Sequence, residues 1–266
     1  MICGDSRPSL PTSSALSLAE CVSAQNYAAQ VSAIALRIAR ATKQSTVLDL
    51  LHQGAHSLGA QHAVFVSFVR DHPNLSTCQF MLACDPGWCN AYLEAGLFAH
   101  DPWLAYAAGH SEPVVASSLP SLNPAQHEPV DLITQNGFAS AALIPAHSGG
   151  GHSQISLLCL GSTMPGFFEC EGFGQFRVAA RMLALELHDW WLARIRRELL
   201  VKAHITPSEL ELLRHQRQGH SSKRIAAELH VSKSSINSRF QRMNVKLGVA
   251  NRRMAARIAC ECGLIL

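Results

Sequence analysis

No apolar run in this 266-residue chain reaches the roughly 20 residues needed to span a bilayer, which argues against a membrane protein. The opening residues, Met1 to Pro8, lack the basic-then-apolar layout of a secretory signal, so a cytoplasmic location is expected. The nine cysteines include no Cys-x-x-Cys, and none pairs with a histidine at zinc-finger spacing. Reduced thiols are the simplest reading, with Cys159, in an apolar run, a small buried hydrophobe. There is no internal repeat, nucleophile elbow, phosphate-cradling loop or metal-spaced cluster. An enzyme would have to rest on Cys84 or Cys89 with His100 or His110 and Asp101, a thiol chemistry that no accompanying motif supports. Redox sensing by either thiol lacks a basic neighbour to activate it. No catalytic residue, cofactor or metal is therefore assigned. Fourteen histidines invite a pH switch, but surface or satisfied core positions account for them.

Acidic residues are scarce at one end only. Residues 204–266 hold 11 Lys+Arg against 4 Asp+Glu, a net of +7, whereas residues 1–203 hold 11 against 15, a net of −4. A total of +3 thus conceals one cationic end, the electrostatic footprint of nucleic-acid binding. A solvated cationic face is the alternative.

That end is also the most legible in local structure. Thr206-Pro207-Ser208-Glu209 is a capping box with proline at the first helical position. Leu210, Leu212 and Leu213 supply the buried stripe, and Gly219 suits the left-handed position that ends the helix. Ser221 or Ser222 caps a second helix that buries Ile225, Ala226 and Leu229. His230-Val231-Ser232 makes a turn, with Ser232 the next cap. A third helix buries Ile236, Phe240, Met243 and Leu247, spaced four, three and four apart. Its polar faces carry Ser234, Ser235, Asn237, Ser238, Gln241 and Arg242, short donors and acceptors suited to base edges in a major groove. Lys223, Arg224, Lys233, Arg239 and Lys246 flank them as candidate phosphate contacts. A fourth helix is expected from about Asn251 to Cys262, ending at Gly263. Periodicity alone also permits a plain helical bundle.

Taken together these residues resemble the helix-turn-helix of LuxR-type transcriptional regulators. The resemblance rests on Thr206 and Glu209, Leu213, Gly219, Ile225-Ala226, Val231-Ser232, Lys246-Leu247-Gly248-Val249, Asn251-Arg252 and Gly263-Leu264-Ile265. It departs where that family has Thr-Val-Lys-x-His, here Ser235-Ile236-Asn237-Ser238-Arg239. A usual phosphate-contacting lysine has become Asn237, with Arg239 as a candidate replacement for the charge.

Earlier in the chain, residues 1–18 are Ser/Pro-rich and expected to form a disordered tail. One helix is expected from about Leu18 to Thr42 and another from Ser45 to Leu58, capped by Ser45 and burying Val47, Leu48, Leu51 and Leu58. Ala63–Val69 and Thr77–Cys84 read as strands around a turn at Asp71-His72-Pro73-Asn74. Gly87 to Leu97 is helical, and a short helix follows Asp101-Pro102. A loop runs through Pro124, and a helix from Pro129 to Asn136 stops at Gly137. Strands at Ala139–Pro145 and Ser153–Leu160 flank a glycine-rich turn, and one long helix runs from Cys170 to about Lys202. The class is α+β: an N-terminal α-β-α sandwich around an antiparallel sheet, then an all-α module of four helices. A response regulator, which needs a parallel doubly wound sheet and an Asp cluster, does not fit. The expected division is a sensing and dimerisation domain at 19–198, a linker at 199–204 and a DNA-binding domain at 205–266. Trp190-Trp191 on the long helix suits either its own sheet or a dimer contact.

Trp88 and Tyr92 lie one helical turn apart, and Asp101 follows nine residues later. On physics alone they are either core aromatics with Asp101 capping the next helix, or a partly apolar pocket with one acceptor. Their spacing resembles the autoinducer-binding domain of LuxR-type regulators, as do Gly137 and the strand carrying Pro145. The resemblance implies that Trp88 and Asp101 bind the carbonyl and amide N–H of an acyl-homoserine lactone and that Tyr92 lines the acyl pocket. Other pocket positions depart from that family. Cys84 stands where relatives have Tyr and Ala116 where a Trp walls the lactone end. Ala141 replaces the second Gly of Gly-x-x-x-Gly, and Leu143 and Leu157 replace hydroxyl residues. Trp to Ala leaves a cavity, and lost hydroxyls leave a ligand carbonyl unpaired. The expectation is a dimeric regulator reading a palindromic site on double-stranded DNA. Ordinary lactones would bind weakly or not at all, leaving another small-molecule signal, or none, in control. A lactone-dependent receptor and an antagonist that only heterodimerises with related regulators are the alternatives.

Overall fold

The computed structural model describes residues 16–69, 79–120, 123–147, 154–202, 204–247, 249–261 and 263–265. The expected tail up to residue 15, the turns at 71–74 and 148–152, and Gly248, Cys262 and Leu266 lie outside them.

The N-terminal domain is built on one antiparallel sheet. Its strands are β1 (His62–Val69), β2 (Gln79–Ala83), β3 (Val114–Val115), β4 (Ser140–His147) and β5 (Gln154–Ser162), in the order β2-β1-β5-β4-β3. Every pairing is antiparallel. Side chains alternate between faces, so each central strand feeds two cores. Phe65, Met81, Ile144, Leu158 and Leu160 point to one face, and Val64, Val66, Leu143, Leu157 and Cys159 to the other.

The first face is covered by α1 (Leu18–Ser23), α2 (Tyr27–Arg40), α3 (Gln44–Ser57) and the 30-residue α7 (Phe173–Lys202). Phe176, Ala180, Leu183, Ala184 and Leu187 of α7 are fully buried at helical spacing. Trp190 and Trp191 are absorbed into this core: Trp190 Nε1 donates to the Ala41 carbonyl at 2.7 Å, and Trp191 packs on Phe65. The second face is covered by α4 (Gly87–Glu94), α5 (Pro102–Gly109) and α6 (Pro124–Gln135). This is the α-β-α sandwich expected.

Several boundaries differ for identifiable reasons. The expected first helix is two: Ser17 and Glu20 form a capping box that starts α1, Ala24 leaves the helix in an extended conformation, and α2 starts after Asn26. Helix α3 starts one residue early, with Lys43 at its N-cap and Ser45 inside the first turn, and Leu48 is only partly buried. Helix α6 begins at Pro124, not Pro129. Asn123 caps it, accepting from Ala125 N at 3.0 Å, and Gln126 closes the box; a proline in the first helical position lacks only an N–H that would be unpaired anyway. Helix α4 ends at Glu94, where Gly96 adopts φ +67° before a short 3₁₀ turn at Leu97–Ala99.

The C-terminal helices are α8 (Pro207–Arg217), α9 (Ser222–Glu228), α10 (Lys233–Leu247) and α11 (Arg252–Glu261). Thr206 and Glu209 form the expected capping box, and Ser221 and Ser232 cap the next two helices through Arg224 N and Ser235 N. Leu212, Leu213, Ile225, Ile236, Phe240, Met243, Ala255 and Ala259 make a core of their own. Among the described residues no helix is long and apolar enough to cross a membrane.

Candidate functional site

Asp101 stands where α5 begins, with Pro102 behind it. Its Oδ1 accepts from Trp103 N at 2.7 Å and Leu104 N at 3.4 Å, and its Oδ2 accepts from the Tyr92 hydroxyl at 2.6 Å. Only 5 % of Asp101 is exposed, and burial raises its pKa, against the opposing pull of Tyr92 and the two amides. Capping and cavity lining, alternatives in the sequence, are performed by one carboxylate.

Trp88, one turn before Tyr92, meets it edge to face with centroids 6.1 Å apart. Its Nε1–H is buried and meets no oxygen or nitrogen acceptor, with only the Cys84 thiol, a weak acceptor, close enough to interact. Trp88, Tyr92, Asp101, Leu157 and Cys159 line a cavity with Val64, Val66, Phe80, Trp103, Leu104, Ile133 and Phe138. Its volume is about 30 Å³, room for roughly one water molecule.

The remaining predicted positions divide. Leu143 pairs with Cys159 across β4 and β5 and is fully buried in the same core, while Cys84 packs at its edge. Burial pushes the Cys84 thiol up to about 11, against a hydrogen bond with Trp88, and raises Cys89, so neither is activated as a thiolate. His110 stacks on Tyr106, with centroids 4.4 Å apart. Ala116 lies elsewhere. It lines a second cavity of about 410 Å³, with Ser117, Thr134, Ser140 and Glu169 among its polar walls. Trp103 and Phe138 line both cavities and so stand between them. Phe138 is seated by Gly161, whose missing side chain would sit 2.4 Å from the ring. The sequence reading missed Trp103, Phe138 and the β1 valines. Period-two alternation in β1 was the available signal for Val64 and Val66; nothing local pointed to Phe138.

In the C-terminal domain, α10 exposes Lys233, Ser234, Asn237, Ser238, Gln241 and Arg242, with Ser235 and Arg239 half-buried. Ser234, Ser238, Gln241 and Val245 form one stripe at helical spacing, and Val245 is 82 % exposed. Two expected DNA contacts are used internally. Lys246 Nζ donates to both carboxylate oxygens of Glu209, at 2.7 and 2.9 Å, and to the His204 carbonyl at 3.0 Å, fastening α10 to the start of α8. Asn237 Oδ1 accepts from Ser222 Oγ at 2.9 Å, and Ser222 in turn accepts from Arg252 at 2.7 Å, tying three helices together. Arg224 pairs with Glu228 at 2.8 Å but stays 61 % exposed, as Lys223 stays exposed. Gly219 holds φ +76° at the end of α8, and Leu213 is fully buried.

Comparison with known proteins agrees with both halves. Residues 43–189 match the autoinducer binding domain family, and residues 203–259 match the bacterial regulatory proteins of the luxR family. The chain is 25 % identical over 181 residues to the HTH-type quorum sensing-dependent transcriptional regulator RpaR of Rhodopseudomonas palustris, covering 67 % of this chain and 71 % of that one. Its fold resembles SdiA in complex with octanoyl-rac-glycerol, with a TM-score of 0.69, 16 % identity and coverage of 90 % and 97 % of the two chains. It also resembles the lactone-dependent factor CepR2 of Burkholderia cenocepacia, with a TM-score of 0.53, 17 % identity and coverage of 64 % and 98 %. The chain belongs to the LuxR family of quorum-sensing transcriptional regulators, an autoinducer-binding domain followed by a helix-turn-helix, and is not an enzyme.

Proposed function

We propose that this regulator acts as a homodimer in the cytoplasm. Two copies of α10 would read a palindromic promoter element, with half-sites about one helical turn, roughly 34 Å, apart. The sensing domain runs from about residue 19 to 198, a short linker follows to 204, and the DNA-binding domain occupies 205–266. Lys223, Lys233, Arg239 and Arg242 contact phosphates, while Ser234, Ser238 and Gln241 face base edges. Arg224 adds a phosphate contact from its exposed pair with Glu228. Lys246 and Asn237 act by positioning α10.

The signal is read at Trp88 and Asp101. The observation that carries this is that the buried Trp88 Nε1–H, which has only the weakly accepting Cys84 thiol for company, and the Asp101 carboxylate line the same apolar cavity. A ligand offering a carbonyl to the indole and an N–H or O–H to the carboxylate satisfies both, and to enter it must push apart the side chains that now leave room for about one water molecule. Ordinary acyl-homoserine lactones bind weakly or not at all, because Leu157, which lines this cavity, and Leu143, buried in the same core, offer a ligand carbonyl no hydroxyl. The likeness to an SdiA structure holding an octanoyl glycerol supports a signal with a non-lactone head. The second reading, an ordinary lactone receptor, draws on the presence of Trp88, Tyr92 and Asp101 together.

Gel shifts of the full chain on its own promoter fragments, with light scattering of the same samples, test this reading. A dimer that retards DNA supports it. A chain that retards DNA only when mixed with a related regulator would make it a heterodimerising antagonist instead.

A further inference from the structure

The end of α8 carries a side-chain cluster that signal sensing and DNA reading do not use. Gly219, at φ +76°, turns the chain so that His220 N donates to the His215 carbonyl at 3.0 Å. This 6→1 closure sets two imidazoles five residues apart side by side. Their Nδ1 atoms are 3.0 Å apart, and Glu228 Oε2, from the last turn of α9, lies 3.2 Å from His215 Nδ1 and 3.7 Å from His220 Nδ1. Both histidines are largely buried, with side chains 16 % and 15 % exposed, while Glu228 opens to solvent at 38 %.

The three atoms form a triangle with sides of 3.0, 3.2 and 3.7 Å. Zinc bonds of about 2.0–2.1 Å in tetrahedral array set ligand atoms about 3.3 Å apart, which is the size of this triangle. Without a metal, a single proton on His215 Nδ1 would have to serve both His220 Nδ1 and Glu228 Oε2 as a shared donor. A cation uses all three lone pairs at once. Arg224 Nε meanwhile holds Glu228 Oε1 at 2.8 Å, which orients the carboxylate and leaves Oε2 directed at the histidines.

We propose that His215, His220 and Glu228 form a divalent transition-metal site in the DNA-binding domain, with water completing the fourth position. Two imidazoles and one carboxylate suit zinc, cobalt, nickel or copper ions. The bound ion joins the end of α8 to the end of α9, directly before the turn at His230, at φ +54°, that aims α10. Metal binding thereby stiffens the scaffold that carries the reading helix.

The test uses the tag-free full chain, stripped with chelator and titrated with cobalt(II) chloride alone. The expected result is saturation at one equivalent with visible d–d bands of four-coordinate cobalt, no thiolate charge-transfer band, and a higher melting temperature. Glu228→Gln, at an exposed position, weakens cobalt binding by at least about tenfold with unchanged circular dichroism. The double variant His215→Gln, His220→Gln abolishes the bands. If the double variant does not fold, Glu228→Gln and His220→Gln alone decide the matter. No bands and no melting shift in the wild type overturn the proposal. So does wild-type cobalt affinity in folded variants, or a thiolate band, either of which puts the ion on other residues.

Discussion

The Tyr92 hydroxyl donates to Asp101 across 2.6 Å, while the other oxygen of that carboxylate caps α5. Lining of the cavity and capping of α5 are thus fused in one side chain. Asp101→Asn keeps the shape but exchanges an acceptor for a donor opposite Tyr92, and is expected to cost about 1–3 kcal/mol in chemical denaturation. Burial raises the carboxyl's pKa in the folded chain, so the fold binds its proton more tightly than the unfolded chain does. Stability from this group is fully present below the ordinary carboxylate range and is lost as pH rises through the folded value. The stability gap between wild type and Asp101→Asn should therefore narrow from acid to neutral pH. A gap that widens would mean Tyr92 and the amides hold Asp101 ionised.

Trp88→Phe deletes the buried N–H and retains a ring. Stability is expected to change by no more than about 1 kcal/mol, because the lost ring area offsets the relieved donor. The response to a true signal should disappear. A loss of several kcal/mol on thermal melting would mark Trp88 as a packing residue alone.

Gly161 and Gly174 form a contrasting pair. A Cβ at Gly161 would stand 2.4 Å from the Phe138 ring, whereas one at Gly174 meets nothing within 4 Å. Gly161→Ala should destabilise by about 1–3 kcal/mol through overpacking, and displaces the ring that separates the two cavities. Gly174→Ala, in the first turn of α7, should stabilise by up to about 1 kcal/mol. Equal melting temperatures for the two would show that Phe138 is not held by the sheet.

Lys246 and Arg242 separate positioning from phosphate contact. Lys246→Met should lower the melting temperature and leave the salt slope of DNA binding nearly unchanged. Arg242→Ala should leave stability alone and reduce that slope by about one. Hydrogen bonds from Lys246 and Thr206 hold the Glu209 carboxyl below the usual carboxylate range, against its partial burial. The contribution of this pair is present above that range and should fade as pH falls through the folded value.

Local chemistry was the most readable part of the sequence. The capping box at Thr206 and Glu209, the turn at Gly219 and the buried Ile236, Phe240 and Met243 depend on near neighbours and appear where expected, while Leu247, like Leu210 and Leu229, is only partly buried. The Asn123-Pro124-Ala125-Gln126 start of α6 was equally local, but its proline reads first as a breaker. What the sequence could not supply depends on distant residues. Cys84, Ala116, Leu143 and Leu157 were expected to share one pocket, yet Ala116 belongs to a second cavity once Trp103 and Phe138 are in place. Likewise Lys246 and Asn237, polar residues on an exposed helix, look like DNA contacts until Glu209 and Ser222 arrive from other helices.

The most direct test of the proposed insensitivity to lactones is thermal melting of the full chain against a panel of acyl-homoserine lactones of differing chain length. A ligand that binds only the folded state must raise the melting temperature. The expected result is no saturable shift with any lactone at micromolar concentration, from a stable protein that still retards DNA. A saturable shift with one common lactone at submicromolar concentration, coupled to DNA binding, would contradict it and make this an ordinary lactone receptor.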